Sequence, residues 1–129
     1  MRRLIFTVLA AALLASPAHA AEPKKKGGGE SFIQLPTLTA TIVRANGARG
    51  VLTIEVGVDV PDARLRQRAQ ASIPLLRDAY LREMLAYAPG LAPGGAPSPE
   101  RIGTQLQRAT NQTLHQGGAT LLLGSILVN

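Results

Sequence analysis

The chain contains two neighbouring stretches, 38–43 and 51–60, in which an apolar residue recurs at every second position. Such alternation is typical of strands with one buried and one solvated face. Pro36 lies within the β-branched run FIQLPTLTATIV (32–43) and belongs at a strand start or an edge, because it has no N–H to donate. Asn46-Gly47, the strongest short hairpin signal, separates the stretches. The residues predicted to be buried are Leu38, Ala40 and Ile42, and then Leu52, Ile54, Val56, Val58 and Val60.

After this hairpin, apolar residues recur every three or four positions, which is the period of an amphipathic helix. Asp62 is placed to cap the first helix. Pro74 either kinks that helix or starts a second one capped by Ser72, and the sequence leaves both readings open. Ser98 caps a further helix after the Pro- and Gly-rich loop 89–99. The predicted core stripes are Leu65, Ala69, Ile73, Leu76, Tyr80 and Met84, and then Ile102, Leu106, Ala109, Thr110 and Thr113 or Leu114.

The chain closes with ATLLLGSILVN (119–129), which reads as a strand that is apolar on both faces. Strands of this kind are usually central in a sheet or covered on both sides. The element order is therefore β-β-α-(α)-α-β. It predicts a small single α+β domain over 32–129, with an antiparallel or mixed sheet and helices packed on it.

Residues 1–20 have the pattern of a secretory signal peptide. Arg2 and Arg3 precede an apolar run from Leu4 to Ala15, and Ala18-His19-Ala20 supplies the small residues of a cleavage site. The run of twelve residues is far shorter than the about 20 that a membrane-spanning helix needs. We therefore expect cleavage after Ala20 and export to the periplasm, by either the general or the twin-arginine route.

Residues 21–31 carry no apolar periodicity and include three consecutive lysines and three consecutive glycines, which predicts a flexible linker. Lys24, Lys25 and Lys26 are candidates for contact with anionic lipid head groups, but a solvated spacer is the favoured reading. Each lysine near a charged bilayer contributes only about 1 kcal/mol. Membrane contact is therefore expected to be peripheral at most.

Composition and spacing favour no enzymatic chemistry. The absence of cysteine excludes thiol nucleophiles and thiolate metal sites. Phe32, Tyr80 and Tyr87 are too few and too scattered to form the stacking platform of a nucleic-acid binder. His115 lacks a partner for metal binding or general-base catalysis. Glu55 and Asp59 share the wet face of one strand, but they are separated by roughly 13 Å, too far for a glycosidase pair. We expect no cofactor and no metal.

The order of motifs resembles the periplasmic domain of FliL, the flagellar basal-body-associated family. LPTLTATIV, then RGVLTIEVGVDV, then IPLLRDAYLREML and finally TLLLGSILVN follow the order of that family's strands and helix. The resemblance covers about residues 32–129. The matching positions are Leu52, Ile54, Val56, Val58, Pro74, Arg77, Asp78, Leu81 and 121–128.

The resemblance implies a stomatin/SPFH-like fold and a non-enzymatic role. It also implies self-association or binding to an envelope complex such as the flagellar stator. Within the matching helix, Arg77, Asp78 and Arg82 form the candidate interaction surface. FliL proteins carry a transmembrane helix where this chain has a signal-like leader, and their connection at 89–99 is more compact. The alternative function is that of a soluble periplasmic carrier, which would hold a small ligand or lipid in a groove between the sheet and the helices.

Overall fold

A computed structural model describes residues 29–129. The predicted signal peptide and Lys24, Lys25 and Lys26 lie outside the described residues. The α+β architecture expected from the sequence is confirmed. Its elements are β1 (Phe32–Gln34), β2 (Leu38–Val43), β3 (Arg49–Asp59), α1 (Ala63–Ala71), α2 (Ile73–Tyr87), a 3₁₀ turn (Ala88–Gly90), α3 (Pro99–Leu114) and β4 (Thr120–Val128).

The four strands form one antiparallel sheet in which β3 is the common partner of all the others. Residues 57–59 of β3 pair with β1 and β4 together, so these two strands lie on opposite edges of β3. β2 pairs with residues 49–54 and continues along the edge that β1 occupies. The sheet is therefore three strands wide, with β1 and β2 in line on one side and β4 on the other.

The run 32–43 contains two strands, β1 and β2, which are separated by Leu35-Pro36-Thr37. Gln34 pairs with Gly57 and Leu38 pairs with Ile54, so four steps along one chain match three along the other. The Leu35 N–H still donates to Val56 at 3.1 Å. Pro36 has no N–H to continue the ladder, and the pairing is interrupted where it lies.

The core lies between one face of the sheet and the helices. α2 packs on β2, α3 packs on β4, and the two helices pack on each other. The alternation in β2 and β3 is confirmed, since every residue predicted to face inward is buried. In the helices, Ile73 is only half-buried, and Leu114 rather than Thr113 completes the stripe of α3.

Turn and cap predictions are also confirmed. Gly47 adopts a positive φ of 81°, and the Asn46 side chain accepts from the Ala48 N–H at 3.0 Å within the hairpin. The Asp62 carboxylate accepts from the Leu65 N–H at 2.8 Å and so caps α1. The Ser98 hydroxyl accepts from the Arg101 N–H at 3.3 Å and caps α3.

The choice left open at Pro74 is resolved in favour of two helices. α1 ends at Ala71, and α2 starts at Ile73 with Pro74 in its first turn. Ser72 occupies the junction, but its side chain makes no capping hydrogen bond. At the far end, α3 stops at Leu114 because His115 takes a left-handed conformation with a φ of 57°.

The expectation that the last strand is central or covered on both sides is wrong. β4 pairs with β3 alone, and no residue of it is fully buried. α3 covers one face of β4, while the other face and one edge have no partner within residues 29–129. β4 is therefore an edge strand that is apolar on both faces and exposes much of its apolar surface.

Candidate functional site

The C-terminal half of β4 presents unpaired backbone groups along the sheet edge. Val51 and Asn129 exchange two hydrogen bonds, of 2.9 and 3.0 Å. Because paired and unpaired positions alternate in an antiparallel ladder, the N–H and C=O groups of Ile126 and Val128 point away from β3. Within residues 29–129 no other strand accepts or donates to them. This open stretch, residues 126–128, is called the free edge below.

The start of β4 is capped along its edge by a side chain of α3. The Gln107 carboxamide donates to the Ala119 carbonyl at 2.8 Å and accepts from the Leu121 N–H at 2.8 Å. A residue of a neighbouring strand would make the same two bonds. Gln107 therefore satisfies two outward-facing backbone groups at the start of β4, while those of Ile126 and Val128 remain open to another chain.

A β-bulge separates the two halves. Leu123 pairs with Val56 and Ile126 pairs with Ile54, so Gly124 and Ser125 together face the single residue Glu55. The Ser125 N–H points to the Glu55 carboxylate at 3.4 Å. A side chain at Gly124 would also crowd Glu55, with an added Cβ only 3.0 Å from the Glu55 Cβ. The bulge therefore holds the Glu55 side chain in place beside β4.

The sheet face turned away from the helices carries an open groove of about 670 Å³. We call this face the outer face. The groove runs between β1 and β4 across the middle of β3. Its principal lining residues are Phe32, Gln34, Glu55, Gly57, Leu122 and Ser125. The groove thus lies on the face opposite to the one between sheet and helices, where the carrier alternative predicted it.

The bottom of the groove is shaped by Gly57. The Phe32 ring lies directly over this glycine, and an added Cβ would be 2.4 Å from the nearest ring atom. A glycine is thus required for the aromatic ring to lie this close to β3. Leu122, which pairs with Gly57 from the other side, forms the opposite apolar wall and is 39% exposed.

The two carboxylates of β3, Glu55 and Asp59, have different surroundings. Asp59 accepts a hydrogen bond from the Ser31 hydroxyl next to β1. Glu55 lines the groove and makes no salt bridge within the described part of the chain. The prediction that both lie on one face is confirmed by their position in β3, and only Glu55 opens into the groove.

The residues predicted as an interaction surface lie on α2, and the structure brings two of the three together. Arg82 donates to Asp78 one turn away, with an Nε–Oδ2 distance of 3.1 Å. This pairing holds the pKa of the Arg82 guanidinium above its usual value, first through the hydrogen bond and then through the charge of Asp78. Arg77 is exposed and lies about 140° round the helix from Arg82, so it does not join the pair.

Leu75 and Leu85 flank this ion pair, and each is 63% exposed. The spacing 75, 78, 82 and 85 puts all four side chains on one face of α2. An exposed pair of this kind contributes little to stability, because both ions remain hydrated. We call this face the α2 stripe, and it is a second exposed surface with apolar ends and a charged centre.

Neither the groove nor the free edge was predicted from the sequence. The signal was present in β4, which contains no charged residue between Ala119 and Asn129. Charged residues are a common means of protecting edge strands, and their absence marks an edge open to pairing. Among residues 29–129, no group of three His, Asp or Glu side chains is arranged to hold a metal ion.

Comparison of the sequence with models of known families and with curated proteins gives no match. None of the helices within residues 29–129 is both long and apolar enough to cross a membrane.

Proposed function

We propose that this protein is a non-enzymatic interaction module of the bacterial envelope that resembles the periplasmic domain of FliL. In this proposal it associates with itself or binds an envelope complex such as the flagellar stator. The order of its elements supports the resemblance, since the hairpin of β2 and β3 leads to helices and a final apolar strand. Residues 1–20 act as a cleaved leader, so the domain works in the periplasm.

The observation that carries the proposal is the free edge. An extended segment from another chain can add to it by hydrogen bonding to Ile126 and Val128, a common mode of protein recognition. The strand offers no charge that would repel a second strand. Val128 is 46% exposed and Leu127 is 53% exposed on the opposite face, so an added strand would also cover apolar side chains.

The α2 stripe is the competing surface for the same role. Its exposed leucines favour contact with a partner, but its backbone groups are already satisfied within the helix. A helix surface of this kind is also common on proteins without partners. The free edge has unsatisfied backbone groups as well as apolar side chains, and it is therefore the stronger candidate.

Two variants with the same chemical change separate these surfaces. Val128→Lys places a charge at the free edge, whereas Leu85→Lys places one on the α2 stripe, and both side chains are exposed before the change. Oligomeric state is measured by light scattering after gel filtration, and partners are captured from cell envelopes with the wild-type protein as bait. We expect Val128→Lys to abolish association and Leu85→Lys to leave it intact.

The opposite pattern would assign the interaction to the α2 stripe and refute the role of the free edge. A wild-type protein that neither self-associates nor recovers an envelope partner would refute the interaction module altogether. Normal motility of a deletion strain, with no envelope partner recovered, would remove the flagellar version. Sequencing the N-terminus of the native protein tests export, since the proposal requires it to start at Ala21.

A further inference from the structure

Gln34 and Glu55 present hydrogen-bond acceptors to the groove, and the hydroxyls of Thr37 and Ser125 beside them can donate as well as accept. Both amide hydrogens of Gln34 are committed, because its Nε2 donates to the carbonyls of Leu35 at 3.3 Å and Val56 at 3.1 Å. The Gln34 Oε1 is therefore left as an acceptor. The Glu55 carboxylate provides two further acceptor oxygens and is the one charged group among the lining residues.

The charge of Glu55 has no cationic partner within residues 29–129, although the side chain is only partly exposed. Its contact is the 3.4 Å approach of the Ser125 N–H. A carboxylate without a counter-charge attracts a cationic donor, and a hydrogen bond between an ammonium and a carboxylate is stronger than one between neutral groups. Arg49, which lies on the same face of β3, is six residues away and thus roughly 20 Å along the strand.

We propose that the groove binds a small molecule with a primary ammonium group on an apolar body. The ammonium donates to the Glu55 carboxylate and to the Gln34 Oε1. The apolar body lies between Leu122 and the Phe32 ring, which itself covers Gly57. The inference is independent of pairing at the free edge, because the groove opens on the outer face of the sheet.

The shape and volume of the groove favour such a ligand over a free inorganic cation. A volume of about 670 Å³ falls within the range of sites for drug-sized molecules. The walls are formed by an aromatic ring and a leucine, and covering them with an apolar body removes apolar surface from water, which favours binding. A single carboxylate offers too few oxygen ligands for Ca²⁺, which takes six to eight. An aromatic wall near the carboxylate also favours an organic ammonium.

Three compounds with one apolar body test this inference. 2-Phenylethylamine carries the ammonium, 2-phenylethanol is neutral, and 3-phenylpropionate is anionic. Each is titrated into the ¹⁵N-labelled protein, and backbone amide shifts are followed. We expect the amine to shift Gly57, Leu122 and Gly124 in the millimolar range or below, to bind about tenfold more tightly than the alcohol, and the carboxylate to bind more weakly still.

Two pairs of variants make the test specific. Glu55→Gln keeps an acceptor for the Ser125 N–H but removes the charge, and Glu100→Gln makes the same change at an exposed site on α3. We expect Glu55→Gln alone to erase the preference for the amine. Leu122→Ala should weaken binding of the amine and alcohol alike. Leu127 lies on the same face but outside the lining residues, so Leu127→Ala should leave binding of both compounds unchanged.

Equal affinity for the three compounds, or equal behaviour of Glu55→Gln and Glu100→Gln, would overturn the proposal. Absence of any shift in the groove amides at millimolar amine would overturn it as well. Shifts confined to residues of the α2 stripe would place the amine elsewhere and would also count against the groove. None of these results bears on association at the free edge, which is measured separately by light scattering.

Discussion

Gly57→Ala tests whether the close approach of β1 to β3 depends on the missing side chain. An added Cβ at this position would lie 2.4 and 2.5 Å from two atoms of the Phe32 ring, and 2.9 Å from the Ile33 carbonyl oxygen. The ring is at the end of a rotatable side chain and can turn away. The carbonyl belongs to the backbone of β1, so the strand itself must shift to make room.

The expected cost follows from these contacts. Forcing extra volume into a well-packed site typically costs about 1–3 kcal/mol. Gly103→Ala is a matched control, because the nearest atom to its added Cβ is Leu123 Cδ1 at 3.6 Å, an ordinary contact. Alanine in the interior of α3 should stabilise the fold by about 0.5–1 kcal/mol, since it restricts the unfolded chain. The same restriction of the unfolded chain acts in Gly57→Ala, so the two variants should differ by the overpacking cost alone, about 1–3 kcal/mol.

Urea denaturation followed by far-UV circular dichroism measures both changes. The midpoint for Gly57→Ala should fall and that for Gly103→Ala should rise, with an unchanged dependence on urea concentration. Adding Phe32→Ala to Gly57→Ala removes the contact with the ring but leaves the one with Ile33. A Gly57→Ala protein as stable as the wild type would refute the packing argument, as would equal shifts in both glycine variants.

Three further predictions concern stability. Thr110 donates to a backbone carbonyl, so the buried Tyr80 hydroxyl must donate to Thr110. Thr110→Val should cost about 1–3 kcal/mol in urea denaturation, because it leaves that hydroxyl without a partner, whereas Tyr80→Phe should cost only about 1 kcal/mol. The reverse order would contradict this. Burial raises the pKa of Tyr80 above its usual 10.0, and the hydrogen bond with Thr110 offsets part of that rise. A raised pKa means that the protonated Tyr80 stabilises the folded state. This contribution is present below about pH 10 and is lost as the pH rises through the folded-state pKa. Tyr80→Phe should therefore lose less stability in alkali than the wild type. Asp62→Ala should cost about 0.5–2 kcal/mol because it removes the bond to Leu65, while Ser72→Ala, without a cap bond, should change stability by less than about 0.5 kcal/mol. Equal thermal midpoints for these two variants would count against the capping argument.

Local patterns predicted those parts of the fold that local chemistry determines. The alternation in β3, the Asn46-Gly47 turn and the Ser98 cap each depend on residues close together in the chain, and all three were correctly placed. The interruption at Pro36 was only partly foreseen. The sequence marked the residue but could not show that both flanking segments pair with the same strand.

The position of β4 could not be predicted, because a strand that is apolar on both faces fits a central position as well as an exposed edge. Which of these it occupies depends on the partner of β3 on each side, a long-range pairing that no short motif records. The groove was missed for the same reason. Phe32, Glu55 and Leu122 are far apart in sequence, and only the pairing of β1 and β4 with β3 brings them together. The pairing of Asp78 with Arg82 differs from these features, since their spacing of four residues on one helix is enough to bring them together.

The carboxamide of Gln107 limits how many backbone bonds a second chain can form with β4. Beyond it, the free edge offers the donors and acceptors of Ile126 and Val128, which is enough for four hydrogen bonds. At about 1 kcal/mol each, these bonds supply roughly 4 kcal/mol. Association itself costs about 4–15 kcal/mol, so backbone pairing alone does not retain an arbitrary extended peptide. Fit to the exposed side chains must provide the difference, and this requirement makes the edge selective and guards it against indiscriminate aggregation.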